Sequence, residues 1–194
     1  MVMFVAACGS GCVSARPSPG DGWASWATRR GGVVRGGDER RASAALLRLT
    51  GGTSVSRNGT AGRQPMVRVL GSDGACAYAW PSGDLFVTRG LLRLLDDAEL
   101  AAALAHELGH LGPAAAVGDG PGRAVHAVAL TDADTCHAES AEFRADDVGV
   151  DLLRARGIPA GALRRALAKV RDDPNTAADC RAALARRVAR LPDG

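Results

Sequence analysis

Asp96-Asp97-Ala98-Glu99-Leu100-Ala101-Ala102-Ala103-Leu104-Ala105-His106-Glu107-Leu108-Gly109-His110-Leu111-Gly112-Pro113 carries the signals of one complete helix, from cap to stop. Asp96 or Asp97 can cap a helix by accepting a hydrogen bond from an otherwise unpaired first-turn amide. Alanine and leucine, both strong helix formers, follow. Leu100, Ala103, Leu104, Leu108 and Leu111 recur at three- and four-residue steps and form one apolar face. Gly112-Pro113 ends the helix, since proline has no amide to give and clashes with the preceding turn.

His106 and His110 lie four residues apart, so on a helix their imidazoles stand one above the other and can reach one metal ion. Glu107 adjoins them and can reach a water on that ion. A zinc ion acidifies such a water and polarises a carbonyl, while the carboxylate takes the proton during attack on a peptide bond. The competing reading is a surface helix with two histidines that bind nothing. The coherent apolar face and the immediate stop argue for the metal.

A catalytic zinc needs a third protein ligand and keeps a further position for water. A helix expected over residues 135–156 offers Glu139, Glu142 and Asp146, with His137 near its start. Glu142 and Asp146 are again four apart on one face. One can bind the ion while the other accepts a hydrogen bond from a ligating imidazole. Chemistry alone leaves the choice open, and His137 competes, because imidazole is a good zinc donor.

Three ordered segments resemble the M48 peptidases, a family that includes HtpX-type proteases and soluble periplasmic relatives. They are residues 76–92, with Cys76-Ala77-Tyr78-Ala79-Trp80 and Leu85-Phe86-Val87-Thr88-Arg89-Gly90; residues 97–112; and Glu142-Phe143-Arg144-Ala145-Asp146. The likeness runs from about residue 67 to 191, less a variable stretch around 113–134. It implies an α+β, mostly helical zincin-like domain with a small β-sheet whose edge strand lies beside the zinc helix. It also implies one zinc ion per chain held by His106, His110 and Glu142, with Glu107 as general base and Asp146 orienting a ligating histidine. Substrate would be a protein or peptide in extended form, paired with an edge strand whose place residues 83–88 match. The likeness is to the soluble branch, as the spanning helices of membrane-embedded members have no counterpart here. The chain departs from the family at Cys76, where asparagine is usual, and at Asp173-Pro174, where many soluble members have His-Pro. The connection from His110 to Glu142 is also short. Tyr78, His126, His137 and Arg144 are available to assist the metal in holding an oxyanion, and none of them stands out for that role.

Outward from these motifs, residues 38–49 read as a helix, with Ala42, Ala45, Leu46 and Leu49 on one face and Gly51-Gly52 as its stop. Residues 66–70, 75–80 and 83–88 read as strands. A short helix is expected over 90–95, and two more over 160–170 and 176–191. Residues 1–37, rich in Gly, Ser, Pro and Arg, read as leader and tether before a domain spanning 38–194. Within them Trp23 and Trp26 sit three apart, the spacing of a local contact or a short helical turn.

The chain has 194 residues, 25 Gly, 9 Pro and 4% aromatic residues, so its core is expected to be built of Ala, Leu and Val. A net charge of +3, with scattered Lys and Arg, argues against a nucleic-acid partner. No segment nears the roughly 18–20 apolar residues of a membrane span. Met1-Val2-Met3-Phe4-Val5-Ala6-Ala7-Cys8 resembles the end of a bacterial lipoprotein signal, though without a basic start or the usual apolar run of about 7–15 residues. Cys8 is thus a candidate lipid anchor, implying a cell-envelope location. The alternative is a frayed terminus with a buried or free thiol. Cys8, Cys12, Cys76, Cys136 and Cys180 show no thiolate zinc spacing. Two functions fit these readings: a zinc endopeptidase, and a zinc-stabilised binding or chaperone-like module with little proteolytic activity. Glu107 separates them, because a closed structural site needs no base.

Overall fold

Alternation of side chains between two buried faces organises the centre of the molecule. Val67, Val69, Ala77, Ala79, Leu85 and Val87 face one side of a sheet, and Leu70, Tyr78 and Phe86 face the other, because successive side chains of a strand point to opposite faces. The computed structural model describes residues 23–52, 64–80, 83–111 and 139–193, together with the backbone of residues 2–4. In chain order the elements are β1 (Val2–Phe4), α1 (Trp23–Thr28), β2 (Val33–Val34), α2 (Gly37–Thr50), β3 (Met66–Leu70), β4 (Ala77–Ala79), β5 (Asp84–Thr88), α3 (Arg89–Leu94), α4 (Asp97–His110), α5 (Glu139–Ala155), α6 (Gly161–Asp172) and α7 (Ala178–Arg190). The strands form one mixed sheet in the order β1-β4-β5-β3-β2, with β3 and β5 parallel and the other pairs antiparallel. This is the expected α+β architecture, and among the described residues no helix is long and apolar enough to cross a membrane.

One face of the sheet carries the helices. Ala42, Ala45, Leu46 and Leu49 of α2 are all buried there, as their spacing predicts. Gly51 closes α2 in a left-handed conformation, φ 60°, its amide donating to the Leu47 carbonyl at 2.8 Å. The other face carries an aromatic layer. Trp26 of α1 is fully buried, edge-on to Tyr78 at 5.0 Å and to Phe86 at 5.1 Å, with the Arg30 guanidinium 4.4 Å from its ring centre. Thus α1 and β2 lie inside the stretch read as tether, and residues 23–34 are part of the packed structure. A six-residue helix is too short to show a sustained period, and only the Trp23/Trp26 spacing announced it.

Two expectations need correction. Residues 83–88 do not supply an edge: β5 is paired on both sides, with β4 and with β3, so its backbone groups are already engaged. The outer strand next to α4 is β1, which pairs with β4 in the register Val2↔Ala79, Met3↔Tyr78 and Phe4↔Ala77. Nor is α4 amphipathic, since every residue from Glu99 to Leu108 is buried. Its small alanines let the sheet, α2, α5 and α6 close around it. Asp96 caps it by accepting from the Glu99 amide at 2.8 Å, and the Glu99 carboxylate accepts from the Asp96 amide at 2.8 Å. The Lys169 ammonium of α6 donates to Glu99 at 2.6 Å and ties that end down.

Helix α5 crosses α4 at two glycines. A Cβ on Gly109 would stand 2.7 Å from the Ala145 carbonyl oxygen, and one on Gly149 would stand 3.2 Å from the His106 amide nitrogen. The two backbones therefore touch where the histidines are. Alanine at 109 would gain about 1 kcal/mol of helix propensity but would collide with backbone that can move only by separating the helices, at about 1–3 kcal/mol. Gly109→Ala is expected to lower the urea unfolding free energy; a neutral or raised value would show that the helices part freely.

Candidate metal centre

The last turn of α4 and the first turns of α5 bring three donors together. His106 Nε2 and His110 Nε2 are 2.9 Å apart, Glu142 Oε2 is 3.3 Å from the first and Oε1 is 3.4 Å from the second. One ligand atom from each residue lies within 4.8 Å of the others, a group that could hold a metal ion. Both Glu142 oxygens are enclosed without a hydrogen bond of good geometry, although cationic groups stand close by. Enclosed oxygens of this kind cost free energy unless something claims them. Two imidazole nitrogens and a carboxylate converging on one point fit zinc.

Asp146 stands behind His106, its Oδ1 2.8 Å from Nδ1. An ionised carboxylate only accepts, so Nδ1 carries a proton toward Asp146, and Nε2 is the nitrogen that faces Glu142 and His110 and would be free to take a metal. Glu107 is fully buried beside His106 in α4.

The sequence reading missed Arg187, which is buried on α7. Its Nε donates to Asp146 Oδ2 at 2.9 Å, one terminal nitrogen donates to Asp146 Oδ1 at 2.6 Å, and the other lies 2.8 Å from Glu142 Oε2. Arg187 belongs to a wider match of signs between α7 and α5. Arg186 pairs with Glu139 at 2.5 Å and Arg190 with Asp147 at 2.6 Å. That match was present in the sequence as three arginines at 186, 187 and 190 facing acids at 139, 142, 146 and 147.

Burial alone would raise the pKa of both carboxylates. Hydrogen bonding to His106 and the charges of His106 and Arg187 outweigh it, and for Asp146 a hydrogen bond from Arg187 adds to this. Glu142 and Asp146 each end at about 2. For His106, burial and Arg187 favour the neutral ring, but Asp146 and Glu142 prevail and its pKa is raised.

The other residues named from sequence lie elsewhere. Tyr78 and Cys76 belong to the aromatic layer on the far side of the sheet, so neither adjoins the metal group. Arg144 is exposed on α5. Glu139 pairs with Arg186 at the surface. Asp173 accepts from the Asn175 amide at 2.8 Å and shapes the turn after α6. His126, His137, Cys8, Cys12 and Cys136 fall outside the described residues.

The family model of peptidase family M48 matches residues 48–114, from the end of α2 through both histidines and short of Glu142. This match supports membership of that metallopeptidase family. No curated protein matches the chain.

The lowered carboxylates set a pH dependence for the metal-free protein. A depressed pKa contributes stability that is complete above the ordinary values, 4.5 for Glu142 and 3.8 for Asp146, and is lost as pH falls toward about 2. His106 works in the opposite sense, its contribution complete below 6.5 and lost as pH rises through its raised value. Urea unfolding of metal-free protein should therefore weaken from pH 4.5 downward, and an E142Q/D146N variant should show a flatter profile there. Parallel profiles would contradict these ionisation states.

Proposed function

From M48 membership we infer that the chain is a zinc-dependent endopeptidase acting on extended or unfolded protein segments. It carries one zinc ion, with His106, His110 and Glu142 as ligands, Asp146 orienting His106, and Glu107 as general base. The observation that carries this reading is the convergence of two Nε2 atoms and a Glu142 oxygen, with the Glu107 carboxylate buried alongside. Burying an ionisable group is costly, and a zinc site serving structure alone would not require this one. A binding or chaperone-like module would keep the ligands without needing Glu107.

A bound zinc ion would supply Lewis acidity toward the scissile carbonyl and toward water. Glu107 takes a proton from the attacking water and returns it to the amine nitrogen as the C–N bond breaks. Asp146 keeps the proton of His106 on Nδ1 throughout. The pairing of residues 2–4 with β4 supports an extended substrate, since it places a short strand on the sheet edge that α4 packs against. Backbone pairing of that kind recognises an extended chain largely without regard to side chains.

E107Q keeps the shape of Glu107 and removes its basicity. Turnover of a peptide or casein-type substrate is expected to fall by at least about 10²-fold with zinc content unchanged, whereas E142A should lose zinc. Equal turnover at equal zinc would exclude Glu107 as the base, and no cleavage by wild type over a broad substrate set would favour the binding module.

A cell-envelope location with Cys8 as lipid anchor belongs to the same proposal and rests on the N-terminal sequence; cleavage before Cys8 would remove residues 2–4 and leave the edge of β4 for a substrate strand. Protein expressed from its native locus is then expected in the detergent phase on partitioning; an aqueous chain with an unmodified Met1 would rule the anchor out.

A further inference from the structure

We propose that Arg187 is a positioning residue that assembles the metal cradle, a role resting on the reading of His106, His110 and Glu142 as ligands. All three guanidinium nitrogens of Arg187 face carboxylates. Nε and one terminal nitrogen grip both oxygens of Asp146, at 2.9 and 2.6 Å, and the other terminal nitrogen stands 2.8 Å from Glu142 Oε2. The terminal nitrogen on Asp146 also lies 3.1 Å from His106 Nδ1. One planar group therefore touches a proposed ligand, the carboxylate that orients a second ligand, and that second ligand itself.

The geometry assigns it two tasks. The two-point grip fixes the rotation of the Asp146 carboxylate, so that Oδ1 meets His106 Nδ1 at 2.8 Å and Nε2 turns toward Glu142. The third nitrogen draws Glu142 to the same side. Glu142 is in the first turn of α5, and Arg187 comes from α7, so the third donor is steadied by a second helix rather than by α5 alone. Arg187 is not placed to bind an external anion, since it is buried and each nitrogen is engaged. A lysine could replace the charge but not the fork, because an ammonium cannot take both Asp146 oxygens and Glu142 in one plane.

The test is zinc affinity by competition with a chromophoric chelator, together with the visible spectrum of the cobalt-substituted protein, for wild type, R187K, R187M, R190M and H106A. Arg190 joins the same two helices through Asp147 at the surface and does not reach the cradle, so R190M controls for helix docking. R187K is expected to fold and to bind zinc about 10- to 100-fold more weakly, the usual loss when an orienting partner of a metal ligand is removed, with an altered cobalt spectrum. R187M should behave likewise where it folds, and R190M should match wild type.

Wild-type affinity and spectrum in R187K would overturn the proposal, as would tighter zinc binding, which would mean that the Arg187 charge merely opposes the ion. An equal loss in R190M would also overturn it, by assigning the effect to helix docking. Equal zinc binding by wild type and H106A would instead overturn the ligand assignment, and this proposal with it.

Discussion

Backbone contact between α4 and α5 is the constraint from which the rest follows. Two imidazoles on one helix can reach an ion, but a third donor must come from another chain segment to within a few ångströms. Gly109 and Gly149 permit that by leaving no Cβ between the helices, and the shorter separation brings Glu142 and Asp146 up to His106. The alanines of α4 serve the same end on its other sides. A helix enclosed by a sheet and three helices must be thin, and from Ala101 to Ala105 this one presents only alanine apart from Leu104. The rigidity of the motif is thus a packing property, built before any chemistry enters.

Close packing creates an electrostatic problem that α7 answers. Glu107, Glu142 and Asp146 are brought together in an interior where an unbalanced ion costs several kcal/mol even after relaxation. Arg187 sets a positive charge among them from a helix that contributes no donor to the metal group. Arg186 and Arg190 meet acids on α5 at the rim, where each pair is worth little by itself. The buried pair and the exposed pairs therefore do different work, though they join the same two helices.

Much of this was legible in the sequence because it was periodic or short-range. The buried face of α2, the bounds of β3, a cap at Asp96 or Asp97 and the spacing of His106 with His110 and of Glu142 with Asp146 all depend on residues within a turn or two of each other. What was not legible depends on distance along the chain. No local signal says that Arg187 meets Asp146 forty-one positions earlier. Neither does one reveal that β5 lies inside the sheet, since an interior and an edge strand of five apolar-rich residues read alike. The turn of helix at Trp23 lacked the length for a period, and its partners Tyr78 and Phe86 are more than fifty residues away. The burial of α4 on all sides was hidden because alanine suits an exposed helix as well as an enclosed one.

The same geometry links metal binding to folding. Donors from α4 and α5, oriented through α7, come together only in the folded chain, so an ion bound there stabilises the native state by RT ln(1 + [L]/Kd). Any substitution that loosens the cradle then weakens the ion and, through it, the fold, whether or not the residue touches a reacting atom. Changes at Gly109, Asp146 or Arg187 will look like losses of stability and of activity together, and neither measurement alone can assign them a role. Glu107 differs. It lies next to the proposed ligands without belonging to the metal group, and its isosteric amide keeps the shape of the side chain. Chemistry can be separated from assembly at that position, and for the residues around it only metal affinity, measured apart from turnover, makes the distinction.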